Sequence, residues 1–359
     1  VTRRSAVPPP VTAVLDASSR WLPARLGEVE ETLREQAGGH GDLLGADASA
    51  TLAAGGKRLR PMLVLLCAGP GAGPEAVRAA AAVELVHMAT LVHDDILDAA
   101  PLRRGRPTVV ASSGRGRAVG TGDLLFSRAF ALLADAGDAR SIELIAAASV
   151  ALARGELAQR QDAFDTSVGE DRYLERCRLK TAALFECAVR LGWVTGRRPR
   201  TREQESEAGG DDARERAGAE EMAEYEEEEA EYEEEIGGFG REIGLAFQLL
   251  DDVLDVTGPP ERTGKARGTD LFDGVVTLPL ILAAERDPGI AERDLRSLDT
   301  ASAEGLCDLI AATGALEAVR GRALEMVAGA KRRLDGVRLD REQRRLLEIV
   351  ADGVVQRYS

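Results

Sequence analysis

Cysteine is scarce and unpatterned in this chain of 359 residues: Cys67, Cys177, Cys187 and Cys307 stand apart, without the CxxC or Cys/His spacing of a metal or redox centre. Each lies in an apolar helical context, which predicts reduced, buried thiols. No uninterrupted apolar run reaches the ~20 residues of a membrane-spanning helix. The opening VTRRSAVPPP lacks the apolar core of a secretory signal. Both absences point to a cytoplasmic protein. Alternating β-branched runs are missing, so no strand is expected. So is any Ser/His/Asp or Cys/His arrangement that would suit a protein nucleophile.

Basic excess is missing too, but the deficit is local. Residues 203–235 carry 17 Asp and Glu against 2 Arg, which accounts for the whole formal charge of −15 and leaves the rest neutral. Without a basic stripe, no nucleic-acid partner is expected. Like charges at i,i+4 repel on a helix, so 203–235 reads as a solvated acidic insert or a marginal, exposed helix.

What is present is helix. Ala- and Leu-rich periodic stretches predict helices over 11–37, 57–68, 75–99, 117–136, 139–164, 170–194, 237–256, 275–286, 301–332 and 340–357. With no second core in sight, this is an all-α, single-domain helical bundle. A Pro-rich, disordered start (1–10) precedes one domain (11–359) that the acidic insert interrupts.

Two acidic motifs repeat one pattern: Asp94-Asp95-Ile96-Leu97-Asp98 and Asp251-Asp252-Val253-Leu254-Asp255. Each ends an apolar helical run, where a buried face would otherwise be predicted and uncompensated acids are costly. First and fifth positions lie one turn apart on one face, a spacing that suits carboxylates sharing oxygen-liganded cations. His87 and Thr90 stripe the same face behind the first motif, and Gln248 does so behind the second. Two such faces could grip one polyanion through Mg2+.

Cations accompany the acids. Gly55-Gly56-Lys57-Arg58-Leu59-Arg60-Pro61 puts three at a Gly-rich helix entrance, where free N–H groups favour an anion. Lys57 and Arg60 share a face; Arg58 is rotated away and is the weaker candidate. Arg103 and Arg104 follow the first motif, and Lys265 follows the second, each suited to phosphate oxygens. Lys180 falls on an apolar face with Tyr173, Cys177 and Leu184, so its ammonium needs an anionic partner.

Together these motifs resemble the trans-isoprenyl (polyprenyl) diphosphate synthases, in particular the bacterial medium- and long-chain members. GGKRLRP, HMATLVHDDILD, LRRGRPT, GELAQ, LKTA, FQLLDDVLDVTG and TGKARGTDLFDGVVTLP occur in that family's order. The resemblance implies a helical bundle around a deep central cavity, a homodimer, Mg2+ as cofactor, and head-to-tail condensation of isopentenyl diphosphate with an allylic diphosphate. It implies that Asp94, Asp98, Asp251 and Asp255 bind the metal, with Asp95 and Asp252 less firmly assigned. Lys57, Arg60, His87 and Arg104 would bind isopentenyl diphosphate; Arg103, Lys180, Thr181, Gln248 and Lys265 would serve the allylic side. Asp94, Asp98, Lys180, Asp251 and Lys265 form the implied catalytic set, and Glu156 and Gln159 match a stretch that lines the metal cluster. Val275 stands where many members have Lys.

Small Ala89 and Thr90, just before Asp94, resemble an open tunnel rather than an aromatic floor. That predicts a product longer than C20, with the stop deeper, at Phe126, Phe130 or Phe164. The alternatives are a geranylgeranyl or farnesyl diphosphate synthase and a non-catalytic subunit of a heteromeric prenyltransferase. The six motif aspartates argue against the latter.

Overall fold

The computed structural model describes residues 9–18, 21–38, 41, 43–197, 212–258 and 267–356. The helices in chain order are α1 (Pro9–Ala17), α2 (Trp21–Gly38), α3 (Leu44–Ala53), α4 (Leu59–Ala68), α5 (Pro74–Leu97), α6 (Val109–Ser113), α7 (Arg115–Ala134), α8 (Ala139–Gln161) and α9 (Glu170–Cys177). A π-helical turn (Arg178–Ala182) then leads into α10 (Ala183–Gly196). There follow α11 (Asp212–Thr257), α12 (Thr269–Phe272), α13 (Leu278–Arg286), α14 (Pro288–Ala291), α15 (Thr300–Ala312), α16 (Ala315–Arg333) and α17 (Arg341–Gln356).

Helix α5 is apolar on nearly every side, the signature of an interior helix, and it packs against α2, α4, α7 and α10. Among the described residues it is the one helix long and apolar enough to cross a bilayer, yet most of it is buried in the bundle. Helix α10 joins α5 on one side to α11 on the other, and α11 in turn packs on α16. The two helices that end in aspartate motifs are thereby bridged through one shared neighbour. All four cysteines are free and buried. Burial pushes the Cys177 thiol up to about 12 and Cys307 to about 11, leaving both inert near neutral pH.

The structure departs from the sequence expectation in several places. The helix expected over 11–37 breaks after Ala17, and that over 301–332 breaks at Gly314, whose φ of +74° ends α15. Helices α3 and α6 were not foreseen. A two-stranded hairpin, β1 (Leu102–Arg103) with β2 (Arg106–Pro107), closes the loop where no strand was expected.

The largest departure is α11. Its 46 residues, about 70 Å at 1.5 Å per residue, carry the acidic stretch from Asp212 onward straight into the second aspartate motif. Neighbouring arginines supply the missing counter-charge. Glu233 pairs with Arg140 at 2.5 Å and Arg190 at 3.2 Å, Glu234 with Arg241 at 3.2 Å, and Glu235 with Arg333 at 3.2 Å. Tyr232 meets the Trp193 ring edge-on, 5.8 Å between centroids. The C-terminal turns of the acidic stretch are therefore docked on the body, as the apolar count alone did not suggest.

Candidate active site

At the end of α5, Asp94 is half-buried, Asp95 buried and Asp98 exposed. Ala99 (φ +48°) turns the chain out of the helix. The hairpin then turns through Arg104 (φ +53°) and Gly105 (φ +73°), two consecutive positive φ values that match the twist of paired strands. This brings Arg103 back onto its own motif, where Nε donates to Asp95 Oδ1 at 2.8 Å. Asp95 is thus engaged by the protein, while Asp94 is left beside the cluster of Lys180, Glu156 and Asp98. Burial, reinforced by the negative charges of Glu156 and Asp98 and opposed by Lys180, pushes the Asp94 carboxyl up to about 6.

Lys180 has the anionic partner its position required. Its Nζ donates to Glu156 Oε2 at 2.5 Å, and Arg160 links Glu156 Oε1 (3.0 Å) to Asp98 Oδ1 (2.8 Å). Lys180 and Thr181 occupy the π-helical turn, a local widening that often marks functional sites. Two glycines admit it. A Cβ on Gly155 of α8 would lie 2.6 Å from the Lys180 backbone nitrogen, and one on Gly244 of α11 would lie 2.7 Å from Ala182 Cα.

On α11 the Thr181 hydroxyl donates to Gln248 Oε1 at 2.7 Å, and Gln248 Nε2 donates to Asp252 Oδ1 at 2.7 Å. The Tyr173 hydroxyl donates to Asp252 Oδ2 at 2.6 Å. Burial raises the Asp252 carboxyl despite these two donors. Asp255 Oδ2 accepts the Asp270 N–H at 3.2 Å, and its carbonyl accepts Gly268 N–H at 2.9 Å, which anchors the chain where it re-enters the described structure. Asp251 is exposed. Asp98, Lys180, Thr181, Gln248, Asp251 and Asp252 line one cavity of about 290 Å³ together with Gln159, Arg160, Tyr173, Asp270 and Asp273.

A second cationic group gathers around His87. Arg58 (φ +49°) precedes α4 and is paired with Glu30 and with Glu84 at 2.7 Å, so its charge is balanced. Arg60 differs. Its Nε is buried without a hydrogen-bond partner, its guanidinium stacks 4.6 Å over the Phe185 ring, and burial lowers it to about 10. Burial, then the charges of Arg60, Arg104, Arg103 and Arg58, hold His87 well below its ordinary value, hence neutral. Arg104 reaches the same place: a Cβ on Gly56 would sit 3.6 Å from its Nη1. Lys57 is exposed at the entrance of α4. Cations dense enough to suppress an imidazole are suited to an anionic ligand.

Lys265 lies outside the described residues. Ala89 is fully buried, and the Thr90 hydroxyl donates to the His87 carbonyl at 2.8 Å. Phe126 stacks on His93 at 5.9 Å between centroids, on α7 alongside α5. Phe164 is placed elsewhere: its amide donates to Gly274 O at 2.8 Å and Arg296 lies 4.7 Å over its ring, at the loop following α8. Arg160, Tyr173, Asp270 and Asp273 escaped the sequence reading. Asp270 and Asp273 lie within TGKARGTDLFDGVVTLP and Tyr173 on the face of Lys180 without a role being read from them, and Arg160 is the i+4 partner of Glu156.

Among the described residues no three acidic, His or Cys groups converge on one point. The oxygen donors nevertheless fit a hard divalent cation. Mg2+ is commonly held by one or two carboxylates, with phosphate oxygens and water completing its shell. Asp94, Asp98 and Asp251 could supply those carboxylates, and a bound cation would offset the burial and the like charges that raise Asp94.

Comparison with known proteins matches most of the chain to one family. The polyprenyl synthetase family model matches residues 42–211 and 216–305. The chain is 36% identical over 271 residues to the heptaprenyl diphosphate synthase component 2 of Geobacillus stearothermophilus, covering 75% of each chain. It is 32% identical over 311 residues to the geranylgeranyl diphosphate synthase of Methanosarcina mazei, covering 85% of this chain and 86% of the relative. Among solved structures, a decaprenyl diphosphate synthase from Rhodobacter capsulatus superposes with a TM-score of 0.81 at 31% identity, covering 97% and 99% of the two chains. A polyprenyl synthase from Caulobacter crescentus, solved with calcium and isoprenyl diphosphate, gives 0.79 at 31%, covering 97% and 98%. Two aspartate faces on one cavity, a lysine-bearing π-turn and a family match across most of the chain lead to one conclusion: the chain belongs to the polyprenyl synthetase family and is a prenyltransferase.

Proposed function

We propose that this prenyltransferase joins isopentenyl diphosphate head to tail to an allylic diphosphate with Mg2+, and releases an all-trans product longer than C20. The observation that carries the reading is the pairing of two unlike charge sites: an acidic cavity suited to a metal-bound diphosphate, and the Arg60–His87–Arg104 group suited to a diphosphate without metal. Asp94, Asp98 and Asp251, with Asp255 behind, would hold Mg2+, which when bound neutralises charge growing on a leaving diphosphate. Lys180 and Arg103 add fixed positive charge on the allylic side, with Lys265 in the same role. Lys57, Arg60, His87 and Arg104 orient isopentenyl diphosphate. The bundle keeps water from the allylic cation.

For product length, the small, buried Ala89 sets no aromatic floor next to Asp94, and Phe126 and Phe130, one turn apart on α7, are the stops we propose. A C20 product is the second reading, favoured by the similarity to a geranylgeranyl diphosphate synthase. Incubation with isopentenyl diphosphate, Mg2+ and allylic primers of increasing length, followed by chain-length analysis, separates the two. Ala89→Phe would raise a floor one to two turns below the metal site and shorten the products to about three or four units. An active variant with an unchanged product distribution would overturn the proposed path.

We propose a homodimer, supported by exposed Val150 and Leu157 two turns apart on α8. Sedimentation of the purified chain as a monomer at micromolar concentration would overturn it. The name of the Geobacillus relative raises the alternative of a two-component enzyme. Turnover by the purified chain alone would exclude that.

A further inference from the structure

We propose that Tyr173 is a positioning residue for the metal-facing wall of the cavity, acting through Asp252 rather than on substrate. This rests on the condensation reading above, and it assigns Asp252 to orienting that wall instead of ligating the cation.

The argument starts from donors and acceptors. Both Asp252 oxygens are engaged, by Tyr173 OH at 2.6 Å and by Gln248 Nε2 at 2.7 Å, and the oxygen facing Gln248 accepts. The Gln248 amide therefore turns its Oε1 the other way, and that oxygen can only accept. Thr181 Oγ1, 2.7 Å from it, must be the donor. Thr181 thus donates to Gln248, and Gln248 and Tyr173 both donate to the Asp252 carboxyl. A Thr181 hydroxyl whose proton is so engaged offers the cavity lone pairs alone. Such a wall suits the protons of water on a hydrated cation and repels a bare phosphate oxygen. Its polarity depends on Asp252 staying turned inward.

Tyr173 is placed to hold it there. It is only 1% exposed, it reaches the cavity wall from α9, and the Arg176 guanidinium lies 5.5 Å from its ring centroid while pairing with Asp162 at 3.2 Å. The phenol approaches Asp252 from a different helix than Gln248 does, so the carboxylate is fixed from two sides. Asp95, the matching residue of the first motif, is held by Arg103 instead. Without the phenol, Asp252 would rotate about its remaining hydrogen bond and release Gln248 and Thr181.

The test is Tyr173→Phe in the full chain, which keeps the ring and removes the hydroxyl. Binding of Mg2+ with inorganic pyrophosphate is measured by calorimetry, and KM is measured for both diphosphates. The expected result is roughly tenfold weaker Mg2+–pyrophosphate binding and a roughly tenfold higher allylic KM. The KM for isopentenyl diphosphate should stay within about twofold, because the Arg60–His87–Arg104 group is untouched. Wild-type behaviour overturns the proposal, and so does an equal loss at both diphosphates, which would mark a structural role. Should Tyr173→Phe not fold, Gln248→Leu breaks the same row and must give the same split; failure to do so overturns the proposal. A wild type that binds Mg2+–pyrophosphate but condenses no primer would sink the functional reading alone, while the calorimetric comparison still decides the role of Tyr173.

Discussion

The two aspartate motifs share four of five letters, yet their surroundings divide the work differently. In DDILD the second aspartate is tied by a charged partner, Arg103, and the fifth, Asp98, by Arg160. In DDVLD the second aspartate is tied by neutral donors, Tyr173 and Gln248, and the fifth holds backbone N–H groups of the returning chain. Motif position alone does not set a role; the partner does. A charged partner can be exchanged for a cation at the motif, whereas neutral donors fix a carboxylate in place whatever binds nearby.

The first way to break the comparison is to remove the outward carboxylates. Asp94→Ala or Asp251→Ala should each abolish detectable condensation, a loss beyond roughly 10³-fold, with the helical circular dichroism retained. Near-normal turnover of either variant at saturating Mg2+ would refute a two-sided metal site.

The inner aspartates should separate the motifs by stability. Asp252→Ala strands the buried hydroxyl of Tyr173 and the Gln248 amide, a cost of about 1–3 kcal/mol. Asp95→Ala frees a partly exposed Arg103 that water can solvate, and should cost less than about 1 kcal/mol. Urea midpoints for the two variants, if equal, would contradict the division drawn here.

Acid titration sharpens the contrast on the first motif. In the metal-free protein Asp94 sits at about 6 against an ordinary 3.8. Between those values the folded state keeps a proton that the unfolded state has lost. Its contribution to stability is therefore present below about pH 4 and is lost as pH rises through 6. Asp94→Asn should remove that dependence, seen as a flatter denaturation midpoint between pH 4 and 7. Mg2+ binds the ionised form, so the Mg2+ requirement should rise as pH falls below 6. A wild type and an Asp94→Asn variant with the same pH profile would contradict the assignment.

Deleting residues 205–226 should do least: the ion pairs from Glu228 onward survive, and turnover should stay within about twofold while the isoelectric point moves toward neutral. Extending the deletion through Glu235 removes the acidic-stretch partners of Arg140, Arg190 and Arg333, leaving them Glu143, Glu186 and Glu242, and should lower the melting temperature. Equal melting temperatures for the two deletions would show that the docked glutamates contribute nothing.

Much of the site was legible because its spacing is local. Asp94 with Asp98, Lys57 with Arg60, and Gln248 with Asp252 are each within a turn or so, and helical periodicity alone puts them on common faces. Lys180 was rightly expected to need an anion, since apolar neighbours surround it in sequence. What stayed hidden depends on distant partners. Tyr173 acquires its role from Asp252 and Asp98 is tied to Arg160, 79 and 62 residues away. Helix α3 was missed because GADASATLA shows no apolar stripe; Asp47 fastens it to Ser113 at 2.9 Å and Arg117 at 2.8 Å. The exposed helix offered as one reading of the acidic stretch is present from Asp212, but the docking of its last turns was hidden because the arginines that pair with it belong to α8, α10 and α16.

Helix α11 has a consequence for the order of folding. Starting a helix is unfavourable and extending one is not. Its C-terminal half buries Ile236, Phe239, Ile243 and Leu249, whereas its glutamates repel one another until the arginines of three other helices are in place. The helix should therefore start on the side that carries Asp251 and grow backward onto an assembled bundle. Amide hydrogen exchange would show the reverse sequence in the native state, with the turns around Glu228 opening first and those around Asp251 protected to the last. Partial unfolding would then leave the aspartate end of the helix in place, so exposure of the acidic turns need not expose the chemistry.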